Sequence, residues 1–139
     1  MLEQISLYLI SIILGIMFFF SFIIAPVIFS TLNEKNARLF IRKIFPFYYN
    51  FNFTISLIVL IIFIFLNIYS IDFYLTLLVS LLFLIANYLL MPLINTYRDK
   101  KLMDKFKRSH FLSVIINFIQ MGILIFLLIY LEIVCFFDR

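Results

Sequence analysis

The sequence predicts an all-α membrane protein, a bundle of four transmembrane helices, and three observations carry that prediction. Of 139 residues, 66% are hydrophobic and only 13% charged, whereas a soluble domain is roughly half apolar and a quarter charged. Four segments reach the roughly 20 apolar residues that a helix, rising about 1.5 Å per residue, needs to cross a hydrocarbon core about 30 Å thick. No charged residue falls inside any of them. Strands of a membrane barrel would alternate apolar and polar positions, but the run LIVLIIFIFL at Leu57 to Leu66 is apolar throughout, so helices are the reading.

In chain order the helices are expected over about 5–29, 47–69, 73–95 and 111–130, as one domain covering 1–139. The connections 30–46 and 96–110 hold ten of the eleven Lys and Arg residues. By the positive-inside rule both face the cytoplasm, which puts the turn at Ser70 to Asp72 and both termini outside it. A bacterial inner (plasma) membrane is the expected location. The leader carries Glu3 and a long apolar stretch, unlike a cleaved signal peptide, so the first segment is expected to remain. Cys135 is the only cysteine. It excludes an internal disulfide and reads as an apolar residue near the outer interface. The net charge of +4 sits in membrane-flanking loops, so no nucleic-acid partner is expected.

A shift of 66 positions lays APVIFSTLNEKNARLFIRKIF over MPLINTYRDKKLMDKFKRSHF, matching Pro26 with Pro92, Lys35 with Lys101 and Arg42 with Arg108. The chain therefore reads as two repeated helix pairs in parallel orientation. In the first connection, Thr31 to Glu34 has the form of a capping box. Ala37, Phe40, Ile41, Ile44 and Phe45 then recur at helical spacing opposite Lys35, Arg38, Arg42 and Lys43. The expectation is a short helix lying on the membrane surface, its basic side on anionic lipid headgroups, stopped by Pro46. The other reading of those basic side chains is a surface that docks another protein.

His110, Ser113, Asn117 and Gln120 recur at steps of three, four and three and so share one face of the fourth helix. Tyr88, Pro92, Asn95 and Asp99 share one face of the third. Lipid offers no hydrogen bonds, so both faces should turn inward near the cytoplasmic end. Two readings stand. Either these residues join helices, or they line a polar pocket in which His110 has Asp99 as its charge partner, Arg98 lies at the mouth, and Pro26 and Pro92 each free a backbone carbonyl. With no carboxylate, Lys or Arg between the interfaces, a proton relay through an ionised group at mid-bilayer is disfavoured. Two glycines cannot build a phosphate-cradling loop. Ser109 and His110, being adjacent on a helix, are no catalytic pair. No cofactor is expected; a haem held by His110 and Met91, or a quinone, is the redox alternative. Ser11-x-x-x-Gly15 and Ser21-x-x-x-Ala25 are spacings that permit close helix contact, within the chain or in a homo-oligomer.

The run GIMFFFSFIIAPVIFSTL, then FPFYYNFN, then MPLINTYRD before FKRSHFLSVIIN, resembles the small four-helix membrane proteins grouped as domain of unknown function 4149, the transmembrane-protein-205-like family. Pro92, Asn95, Arg98 and Asp99 ahead of His110, Ser113 and Asn117 carry most of the resemblance; Gly15, Pro26, Phe29, Pro46 and Tyr48 add to it. It implies an integral membrane protein and no reaction, the animal relatives being linked to platinum-drug resistance and vesicle traffic. The expectation is a non-enzymatic membrane protein whose polar pocket binds or passes a small solute or a metal species, with an assembly factor acting through its basic loops as the alternative.

Overall fold

The computed structural model describes residues 1–137, with side chains through Ile133; the reading at the Cys135 side chain lies outside what it describes. The described chain is helical, with no strand. Helix α1 spans Leu2–Thr31, α2 spans Glu34–Phe65, α3 spans Ile71–Asp99 and α4 spans Met103–Phe137. All four are long and apolar enough to cross a membrane. At 30 residues, α1 is about 45 Å long, so helix ends project beyond a hydrocarbon core of about 30 Å.

The helices are longer than expected because the basic connections are wound into them. Asn33 starts α2, its side-chain oxygen accepting from the Asn36 amide at 2.9 Å, which satisfies one of the free N–H groups of a helix start. The expected Thr31–Glu34 capping box does not form, since the Thr31 hydroxyl donates back to the Val27 carbonyl at the end of α1. Nor does Pro46 stop a surface helix: α2 runs through it to Phe65. Losing one N–H in a helix of this length is tolerated when both flanks are held by neighbours. Asn67 and Lys101 take left-handed backbone (φ 56° and 57°) after α2 and α3. In each case the amide three residues past the helix end returns to a carbonyl in the last turn, Ile68 to Phe63 and Leu102 to Tyr97, both at 2.9 Å, the pairing that ends many helices.

Pro26 and Pro92 shape α1 and α3 differently from Pro46. Each is preceded by one wide π turn, Phe20–Ile24 and Ala86–Leu90, in which the Ala25 and Met91 amides close five residues back on Phe20 and Ala86. A proline lacks the N–H and crowds the carbonyl four residues earlier, and widening the preceding turn relieves both. The two π turns are 66 positions apart, the offset of the sequence alignment.

Each helix packs on its chain neighbours and α4 returns to α1, the up-down-up-down ring of a four-helix bundle. Ile10, Met17, Val59, Phe63, Val79 and Phe83 are sealed in its centre. Lipid tails are as apolar as these side chains, so cohesion comes from close packing and interhelical hydrogen bonds rather than escape from water. The Ser80 hydroxyl donates to Ser56 at 2.8 Å between α3 and α2. Asn87 donates to Asn50 at 2.8 Å, and Gln120 of α4 to the Val79 carbonyl of α3 at 3.2 Å. At the basic end, Arg98 of α3 meets Glu34 of α2 at 3.0 Å and Arg42 of α2 pairs with Asp99 of α3.

Candidate functional site

A cavity of about 460 Å³ lies in the basic half of the bundle, walled by all four helices. Its position follows from how α1 packs. Leu2–Phe19 lies against α2 and α4, but beyond the π turn Ala25–Thr31 packs on α2. The interior that the other half of the bundle fills with Ile10, Ile13 and Met17 is thereby left open.

The inner limit of the cavity is a polar knot. The Tyr48 hydroxyl of α2 donates to the Asn117 side-chain oxygen of α4 at 3.2 Å, and the Asn117 amide donates to the Ser21 hydroxyl of α1 at 2.9 Å. The π turn presents Ser21 for this bond. It also brings Phe20 against Tyr48, ring centroids 4.7 Å apart. The walls below are mostly apolar, Phe45, Val114 and Ile28 among them.

The basic end of the cavity carries Arg38, Asn95, Arg98 and His110. Arg98 is held between the Glu34 carboxylate and the Phe106 ring, its guanidinium carbon 4.9 Å from the ring centroid. Phe106 in turn stacks on the His110 imidazole, centroids 5.8 Å apart and planes 7° from parallel. The half-buried Arg38 guanidinium, the Asn95 side-chain amide and both His110 ring nitrogens have no hydrogen-bond partner among the described residues. No carboxylate lines the cavity. Positive charge and unused donors therefore face a largely apolar space.

Of the residues singled out in the sequence, His110, Ser113, Asn117, Asn95 and Arg98 line this cavity. Ser113 uses its proton on the His110 carbonyl at 2.7 Å. Gln120 does not reach the cavity: buried one turn further along α4, it bonds to α3. Pro26 and Pro92 are exposed and act through the backbone they reshape. Tyr88, from the same expected face as Asn95, also points outward. Asp99 pairs with Arg42 rather than with His110.

The four basic residues of the first connection have separate surroundings. Lys35 and Lys43 are exposed. Arg42 is taken by Asp99 and the Asn95 carbonyl, and Arg38 lines the cavity. Met91 lines it as well, on α3, while His110 does so on α4. No group of three His, Cys, Asp or Glu residues placed to hold a metal ion exists among the described residues. Gly15 is exposed and a Cβ there would touch nothing within 4 Å, so the Ser11–Gly15 spacing is not used for packing within the chain. Ser21, Tyr48 and Arg38 are the cavity residues that the polar-stripe reading missed. Ser21 was visible only as a small-residue spacing, Tyr48 only in the family resemblance and Arg38 only as a headgroup contact.

These features define an α-helical membrane protein with a cavity near one end of its bundle. Residues 8–103 match the family model described as Domain of unknown function (DUF4149), and the chain belongs to that family. An uncharacterized protein of Aquifex aeolicus (strain VF5) is similar to it, 41% identical over 49 residues, which is 35% of this chain and 37% of that protein. The chain thus matches well under half of that relative's length. No solved structure matches the chain.

Proposed function

We propose that the protein is a non-enzymatic membrane protein whose basic-end cavity binds or passes a small ligand on the cytoplasmic side. The observation that carries this reading is the cavity itself, within the about 300–1,000 Å³ of ordinary ligand sites and lined by polar groups without partners. Helix packing alone would leave neither unpaired donors nor empty volume there. Two guanidiniums line the cavity, Arg98 paired with Glu34 outside the lining and Arg38 in no direct ion pair among the described residues, and no carboxylate lines it, which favours an anionic ligand over a bare metal cation. The cytoplasmic assignment rests on the excess of Lys and Arg at this end. The matched π turns support reading the halves as a repeat, with the cavity between them.

A docking platform for another protein is the second reading; it draws on the exposed Lys35, Lys43, Lys100, Lys101, Lys107 and Arg108, whereas Arg42 is paired with Asp99 and Arg38 lines the cavity. The haem reading draws on Met91 of α3 and His110 of α4 lining the same cavity. Mass spectrometry under native conditions and a visible spectrum on gently purified protein, wild type beside His110→Ala, separate these. A bound species weakened in the variant supports the ligand site, and a Soret band would make that ligand haem. Bare protein in both preparations contradicts the proposal.

A further inference from the structure

Some residues that line the cavity also face the outside of the bundle. Phe22 and Phe29 of α1 and Phe118 of α4 line it while remaining 54%, 58% and 51% exposed, so they form apolar lips between the two helices. Phe22 and Phe118 meet edge to face, centroids 6.3 Å apart, and mark where α1 and α4 part. A water-soluble ligand has no use for three phenylalanines around its entrance. A molecule already in the bilayer would pass between them with its chain in apolar surroundings throughout.

The interior repeats that division. Beside the knot the walls are aromatic and aliphatic; at the basic end stand Arg38, Arg98, His110 and Asn95. Arg38 makes no direct ion pair among the described residues; the nearby Asp99 carboxylate, which feels its charge, is itself bound to Arg42, so the half-buried guanidinium keeps its donors free beside a low-dielectric space. A phosphate placed there would accept from its planar fork.

The geometry points to an anionic phospholipid of the cytoplasmic leaflet as the occupant. It enters sideways between α1 and α4, with one acyl chain along Phe45 and Val114 and its phosphate against Arg38 and Arg98. This inference rests on the ligand-site reading of the cavity and names the class of ligand.

The test is native mass spectrometry of protein exchanged into detergent with equal phosphatidylglycerol and phosphatidylcholine of identical chains. Wild type should retain one phosphatidylglycerol per chain in preference to the choline lipid by about tenfold, the scale of one charge-assisted bond. Arg38→Gln, which breaks no hydrogen bond or ion pair among the described residues, should bring the two lipids to parity. The paired change Lys35→Gln with Lys43→Gln, on exposed side chains, should leave the preference intact. Equal retention of both lipids by wild type, or an equal loss from the two surface lysine changes, overturns the inference. A parallel thermal unfolding series with inorganic phosphate separates the failures. Stabilisation of wild type but not Arg38→Gln by phosphate, with no lipid retained, would assign the site to a soluble anion and leave the cavity reading standing. Neither lipid nor phosphate bound would remove both.

Discussion

The Tyr48 hydroxyl and the Asn117 side-chain oxygen meet at 3.2 Å between α2 and α4, and the same Asn117 reaches Ser21 of α1 at 2.9 Å. One amide thus joins three helices at the inner limit of the cavity. Asn117→Leu should destabilise the bundle by about 1–2 kcal/mol, since interhelical hydrogen bonds in membranes average about 0.6 and reach about 1.7 kcal/mol. Tyr48→Phe should cost about 0.6 kcal/mol by the same scale, and the double variant less than the sum because the two changes remove a shared bond. Reversible unfolding in mixed micelles measures all three, and strictly additive losses would show that the contact has no energetic weight.

The Arg42–Asp99 pair is half in water, with the Asp99 side chain 51% exposed, so its contribution is screened. Asp99→Asn should lower the melting temperature at low ionic strength and converge on wild type as salt rises. It should leave ligand retention unchanged, because Asp99 lies outside the cavity. A salt-independent loss, or a lost ligand, would mean that Asp99 faces His110 after all.

Gln120 separates the fourth-helix stripe into two parts. It is 1% exposed and bonds to the Val79 carbonyl at 3.2 Å, so Gln120→Leu should cost about 0.6 kcal/mol and keep the bound ligand. His110→Ala should do the reverse, reducing ligand with little effect on stability, since the His110 side chain has no hydrogen bond to lose among the described residues and the bond to its carbonyl is kept. Unfolding and native mass spectrometry on the two variants make the comparison, and it fails if both lose the same property.

The four helices were legible because each is a long uncharged apolar run, and a bilayer admits few alternatives. Their ends were less so: charge density marked 30–46 as a connection, but nothing in charge forbids helix, and Asn33 starts α2 there. The site was half legible. Steps of three and four put His110, Ser113 and Asn117 on one face, yet periodicity cannot say where along that face the bundle closes, and Gln120 lies past that point. Arg38 was hidden because its spacing matches that of the headgroup-facing residues. The π turn that turns Ser21 to Asn117 was signalled only by Pro26, and a proline by itself does not distinguish a wide turn from a plain kink.

The central claim, that the cavity is a ligand site, is tested most directly by filling it. Val114 stands in its wall, and Val114→Phe adds bulk to the empty space while leaving the knot and the basic end in place. Native mass spectrometry and a melting curve on this variant beside wild type form the measurement. Wild type should carry a bound species that the variant lacks, at a melting temperature equal to or above that of ligand-free wild type. Identical bound mass in the two proteins would contradict the account.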